Sequence, residues 1–227
     1  MENSGNSRNN LIEAEEKAAR LFSEIENRGL IAAGKSEKEL NTEIFELAKE
    51  LFGIDKYWHK RIVRSGKNTL FPYKENPPEL ILQKDDILFF DFGPVFEDWE
   101  ADYGRTFVLG NNPLKHKLKN DIEIAWFEVR DWIFKQKDLT GEILYKFCIE
   151  VAKKYNWEFG GEIAGHLIGK FPHENIATEI FNNYIRPENK TNLFDPDENG
   201  NKKEWILEIH FVNREKEIGG FFEQLLR

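Results

Sequence analysis

Four stretches of the chain repeat apolar residues at helical spacing. Leu11, Ala14, Ala18, Leu21, Phe22 and Ile25 fall on one face, charged residues fill the other, and Gly29 closes the pattern. The polar residues 1–10 before it, rich in glycine, serine and asparagine, predict a frayed start. In the second stretch Ser36, with Glu39 three residues later, reads as a capping box; Leu40, Ile44, Leu47, Ala48 and Leu51 form the stripe and Gly53 the stop. The third opens at Pro113 and runs through Leu118, Ile122, Ala125, Val129 and Ile133, widened by Trp126 and Trp132. The fourth follows Asp138-Leu139-Thr140-Gly141 and carries Leu144, Phe147, Cys148 and Val151. All four predict amphipathic helices that cover a sheet.

Between and after these helix pairs the pattern becomes strand-like. Leu88 to Gly93, the turn material Pro94, Glu97 and Asp98, and Trp99 to Phe107 predict a hairpin that folds Asp102 back beside Asp91. Residues 54–86 are dense in rings and prolines, which suits a pocket wall. Residues 157–227 are strand-like again, broken by a polar insertion at 186–203 that predicts a surface loop or hairpin near the site. The order helices, strands, helices, strands predicts one α/β (α+β) domain over residues 11–227 and is compatible with an internal α-α-β duplication.

The chemistry enters with the acids in those strands. An ionised Asp buried in a strand costs several kcal/mol unless a cation or a set of donors compensates it. Asp91 and Asp102 would also repel each other, and a pair of divalent metal ions is the usual way to keep such a cluster ionised. With 41 Asp and Glu in 227 residues, one Asp pair means little on its own. The remainder of the chain adds His166, Glu208 and Glu223, each in apolar or glycine-rich sequence. Net charge is −9 and no basic cluster tracks a phosphate backbone, so no nucleic-acid partner is expected. No run is apolar enough to span a bilayer and the N-terminus has no signal-peptide core, so no membrane partner and a cytoplasmic location are expected. Cys148, the single cysteine, reads as core packing rather than as a nucleophile.

Taken in order, Asp91, Asp102, His166, Glu208 and Glu223 resemble the ligand series Asp, Asp, His, Glu, Glu of the pita-bread metallopeptidases, which include methionine aminopeptidase, aminopeptidase P, prolidase and creatinase. The resemblance implies a pita-bread fold, with pseudo-duplicated α-α-β halves around a curved antiparallel sheet. It also implies two divalent metal ions, of manganese, cobalt, iron or zinc. Asp102 and Glu223 would bridge them, Asp91 would chelate one, and His166 with Glu208 would complete the other, Glu208 also shuttling a proton. His173, seven residues after His166, matches the family's second histidine, which stabilises the tetrahedral intermediate. Arg105 is expected to be structural rather than a ligand, holding carboxylates in place by bidentate contacts.

The segment Ile62 to Asn68 looks like the one preceding the first ligand in the proline-handling branch, where a histidine stands five residues after the asparagine; here that position is Tyr73. His59 is a candidate to fill the vacancy from another direction, with a surface or hydrogen-bonded histidine as the plain alternative. Two further departures are Leu167, in place of a glycine that gives backbone room near the metal, and Phe221, in place of an arginine. The chain ends four residues after Glu223, so the last strand is expected to be short. The proline-handling enzymes carry an additional N-terminal domain, which this protein is expected to lack. The resemblance thus implies a metal-dependent exopeptidase that cleaves the N-terminal bond of short peptides, Xaa-Pro among them, as a monomer or homodimer. Methionine aminopeptidase, a non-catalytic peptide- or protein-binding relative and a creatinase-like hydrolase are the alternatives.

Overall fold

A computed structural model describes residues 4–172 and 181–227. Helix α1 (Ser4–Asn27) begins earlier than the polar start predicts. Its first turns are held by Arg8, which pairs with Glu204, and by Leu11, which is buried against Ile168, Ile206 and Leu225. Helix α2 (Glu37–Phe52) carries the full capping box: the Ser36 side chain accepts from Glu39 N–H, the Glu39 carboxylate accepts from Ser36 N–H, and Gly53 closes the helix in the left-handed region. Helix α3 (Pro113–Ile133) starts with Pro113 behind the Asn112 cap, and α4 (Gly141–Lys154) behind the Thr140 cap.

The strands are β1 (Ile62–Ser65), β2 (Ile87–Phe92), β3 (Val95–Phe96), β4 (Trp99–Glu100), β5 (Tyr103–Val108), β6 (Glu158–Phe159), β7 (Gly165–Ile168), β8 (Glu204–Asn213) and β9 (Ile218–Leu225). Seven form one antiparallel sheet in the order β1-β2-β5-β9-β8-β6, with β7 also paired to β8. The first helix pair and β1, β2 and β5 make one half; the second pair and β6–β9 make the other. The two halves meet where β5 pairs with β9, Gly104 standing opposite Glu223.

Period two along each strand sorts the side chains. Leu88, Phe90 and Phe92 of β2 pack with Leu21, Phe22, Ile25, Leu40 and Ile44 of the first helix pair. Leu207, Ile209 and Phe211 of β8 and Phe222 of β9 pack with Trp126, Val129 and Cys148 of the second. The intervening residues, Phe89 and Asp91, Glu208 and His210, Phe221 and Glu223, line a cavity. Burial pushes the Cys148 thiol up, consistent with a packing role. The last strand is not short: β9 has 8 residues, because it gains length on the N-terminal side of Glu223. The insertion contains no strand. It is anchored by buried Leu193, whose N–H donates to Leu139 O and whose carbonyl accepts the Trp205 indole N–H, and it reaches the cavity through Arg186.

Candidate metal centre

The cavity, about 380 Å³ in volume, has its acids at the base. Asp91 lies in β2 opposite Gly104, and Asp102 immediately precedes β5. The predicted hairpin forms the β3–β4 ribbon, turned at Glu97 and Asp98, both at positive φ, and so brings the two Asp together. In the other half of the sheet Glu208 of β8 and Glu223 of β9 are register partners. His166 of β7 sets Nε2 3.0 Å from Asp102 Oδ2 and 3.8 Å from Glu223 Oε1. All five predicted ligands therefore meet in one place. His173 lies outside the described residues.

His59 joins them. Its side chain is 7% exposed, with Nε2 3.1 Å from Asp102 Oδ1 and 3.5 Å from Asp91 Oδ1. The loop that carries it is fixed along the β2–β3 corner: Trp58 N–H donates to Gly93 O, Val95 N–H to Lys56 O, and the Trp58 indole to Ala101 O at 3.0 Å. A Cβ on Gly93 would lie 2.2 Å from the His59 ring and 2.4 Å from Trp58 Nε1, so glycine is needed there. Tyr73 is half-exposed at the rim; its ring lies 5.6 Å from that of His59 and its hydroxyl accepts from Lys60 N–H.

Several neighbours differ from expectation. Among the described residues Arg105 makes no bidentate contact with a site carboxylate. It donates to the backbone carbonyls of Gly104 and Glu223 and to Gln224, and stacks on Tyr103 and Phe222, because the Glu223 side chain points to the opposite face. Leu167 does not crowd the centre, since alternation turns it toward the α3–α4 core. The glycine that is needed for space is Gly165, at φ 140°, where a Cβ would come 2.0 Å from Ile206 O. Phe221 forms an apolar wall with Ile62 and Phe89. In the Ile62–Asn68 segment, Ser65 and Asn68 donate to the buried Glu37 of α2, and Arg64 donates to Phe71 O and Glu75 O; the motif scaffolds the pocket wall.

His210 was not singled out from the sequence. It is buried, donates Nε2–H to Thr69 O at 2.8 Å, and its ring meets Phe89 and Phe221. Its place two residues after Glu208 in a strand is the signal that puts it on the cavity face.

The electrostatics describe a cluster under strain from its own charge. Burial pushes Asp91 up to about 7, against the attraction of His59. Burial likewise pushes Glu208 up to about 7. Glu223 is raised well above the carboxylate range by burial and then by repulsion from Asp102 and Asp91. Burial acts the same way on Asp102, but His59 and His166, one on each oxygen, hold it down at about 2. Burial opposes charge on His59, yet Asp102 and then Asp91 bring it up to about 9.

These residues fit a divalent metal pair. Glu223 Oε2 is buried without a hydrogen-bond partner, which is costly for a carboxylate oxygen unless a cation meets it. Ligand atoms of Asp102, His166 and Glu223, and separately of His59, Asp91 and Asp102, lie within 4.8 Å of one another. The four acids Asp91, Asp102, Glu208 and Glu223 would carry four negative charges, which two divalent ions neutralise.

An antiparallel sheet covered by two helix pairs, with buried carboxylates and imidazole converging from both halves, defines a candidate divalent-metal centre. The chain belongs to the metallopeptidase family M24, whose model matches residues 9–198. It is 25% identical over 170 residues to a Xaa-Pro dipeptidase of Pyrococcus horikoshii, covering 71% of this chain and 47% of that protein. It is 28% identical over 119 residues to a putative Xaa-Pro aminopeptidase of Mycoplasma genitalium, covering 50% of this chain and 32% of that one. The chain thus spans less than half the length of these relatives. Among solved structures, an X-Pro aminopeptidase from Thermotoga maritima superposes with a TM-score of 0.75 at 19% identity, covering 98% of this chain and 61% of the other. A dipeptidase from P. horikoshii superposes at 0.70 and 24% identity, covering 94% and 55%. The fold is the pita-bread fold of that family. Among the described residues no helix is long and apolar enough to cross a membrane.

Proposed function

We propose that the chain is a metal-dependent exopeptidase that hydrolyses the N-terminal peptide bond of short peptides, Xaa-Pro peptides among them. The observation that carries this reading is the convergence of Asp91, Asp102, His166, Glu208 and Glu223 at the base of one cavity, with a buried Glu223 oxygen left without a partner. Those five residues would hold two divalent ions, which when bound supply Lewis acidity toward the scissile carbonyl and lower the proton affinity of water. The Ile62, Phe89 and Phe221 wall takes the apolar part of the substrate and excludes water from the base of the cavity. Glu208, which lines the cavity beside Glu223, would accept a proton from the attacking water and return it to the leaving nitrogen. Tyr73 contacts the substrate at the rim, and His173 donates to the developing oxyanion.

The test is release of the N-terminal residue from Xaa-Pro and Met-Ala peptides by protein loaded with manganese or cobalt, beside a Glu208→Gln control. Release is expected to require metal and to fall roughly 10²–10⁴-fold in the control. Bound metal with no release from either peptide class would overturn the exopeptidase reading.

A further inference from the structure

We propose that His59 is a sixth ligand of the metal centre, so that each side of the Asp102 carboxylate presents one imidazole to a divalent ion. The proposal rests on the dinuclear reading above and adds to it a donor from the loop between α2 and β1.

Two independent features support it. The first is the matched setting of the two imidazoles. His166 donates Nδ1–H to the carbonyl of the next residue, Leu167, at 2.7 Å, and aims Nε2 at Asp102 Oδ2. His59 does the same one site over: Nδ1–H donates to the carbonyl of its own next residue, Lys60, at 2.7 Å, and Nε2 is aimed at Asp102 Oδ1. Holding Nδ1–H on a backbone carbonyl fixes the tautomer whose free lone pair is on Nε2, which is how proteins orient a metal-bound histidine. Nε2 is then the ring nitrogen that faces Asp102 Oδ1 at 3.1 Å and Asp91 Oδ1 at 3.5 Å, and the three atoms lie close enough together for one divalent ion to take the place of the proton that Nε2 otherwise shares with Asp102.

The second is that the position of His59 is built rather than incidental. The Trp58 backbone and indole hydrogen bonds hold the loop, and Gly93 leaves the room that the His59 and Trp58 rings occupy. A histidine serving only as a surface group needs neither. The Glu223 oxygen that lacks a partner lies in the other half of the same cluster, so both halves point independently to a cation. An imidazole in place of water on the Asp91–Asp102 side would also bias that side toward borderline metals such as cobalt and zinc over magnesium.

The test counts imidazoles rather than turnover. Cobalt(II) is added to the chelator-treated protein to two equivalents, and exchangeable, hyperfine-shifted imidazole N–H resonances are recorded by proton NMR, beside X-ray absorption at the cobalt edge. Two such resonances are expected in the wild type, one of which disappears in His59→Gln and the other in His166→Gln, with the affinity for one of the two cobalt ions roughly 10-fold or more weaker in each variant. A wild type that binds two cobalt ions with a single resonance overturns the proposal while leaving the dinuclear centre intact. Two resonances of which His59→Gln removes neither also overturn it. A wild type that binds no cobalt overturns the dinuclear reading itself. Because the wild-type count is informative alone, the test does not depend on a variant's folding.

Discussion

Replacing Asp91 with asparagine should stabilise the metal-free protein. Burial raises the Asp91 carboxyl from its ordinary 3.8 to about 7. Roughly three pH units at about 1.4 kcal/mol each make the ionised group about 4 kcal/mol less favourable in the fold than in the unfolded chain. The sign follows from proton counts. Between pH 3.8 and about 7 the unfolded chain has released the proton and the fold keeps it, so the wild-type contribution to stability falls as pH rises through that window. Above it the loss is complete; below 3.8 it is absent. Asparagine keeps the volume and never ionises. After chelation at pH 8, Asp91→Asn is therefore expected to be more stable than wild type by about 2–4 kcal/mol, a gain of roughly 5–12 °C in a chain of this size. The gain should shrink to near zero at pH 4.

Metal reverses the order. A ligand at one hundred times its Kd adds about 2.7 kcal/mol to the state that binds it, and Asp91→Asn forfeits much of that gain. Urea unfolding followed by tryptophan fluorescence, at pH 4, 6 and 8 with and without metal, measures all four corners. An asparagine variant less stable than wild type at pH 8 without metal, or a difference that does not change with pH, would show that the buried charge is not the source of the strain.

Two other perturbations follow from the same geometry. Burial and the Arg64 charge hold His210 down at about 4. As pH falls from 6.5 to 4 the unfolded chain therefore gains a proton that the fold refuses, and about 3 kcal/mol is lost; His210→Gln should remove that part of the acid sensitivity, and urea midpoints of the two proteins that shift in parallel from pH 7.5 to 4.5 would contradict it. Gly93→Ala places a methyl 2.2 Å from the His59 ring, so it should cost about 1–3 kcal/mol of stability and weaken metal binding in the same direction as His59→Gln. Thermal melts with calorimetric metal titration check both effects, and an alanine variant with wild-type metal affinity would mean that His59 sits more loosely than its contacts imply.

What the sequence revealed and what it hid divide along physical lines. The four helices were legible because a 3.6-residue stripe and its caps are local: Ser36, Glu39 and Gly53 sit where the pattern requires them. The four acids and one imidazole were legible as a candidate set because each interrupts apolar or glycine-rich sequence, where an ionisable group needs a reason. The start of α1 was not, because Arg8 finds Glu204 across the chain and nothing local announces it. His59 was ambiguous for the same reason: no sequence period connects a loop residue to carboxylates 32 and 43 positions later, and only the pinning of Trp58 to Gly93 and Ala101 brings it there. Arg105 is structural as expected, but the carboxylate contact expected of it is not made, because sequence proximity to Asp102 says nothing about which face of β5 the guanidinium takes.

The duplicated architecture explains how a substituted residue at one family position can be offset from another. Each half of the sheet ends its helix pair with strands that meet at Gly104 and Glu223, and that meeting is held by Arg105 on the Glu223 carbonyl and by Thr106 Oγ1 bonded to both Phe221 N–H and Phe221 O. The seam places Asp102 where a loop from either half can reach it. The second half supplies His166 from β7, and the first supplies His59 from the loop before β1, each orienting its ring by the same backbone device. With Tyr73 at the rim, the first half still delivers an imidazole to the cluster, but to the carboxylate oxygens rather than to the cavity mouth. A histidine at the mouth would serve the substrate, whereas under the proposed six-ligand centre one aimed at Asp91 and Asp102 would serve the ion. The exchange should therefore be felt first in metal affinity and only secondarily in the choice of peptide.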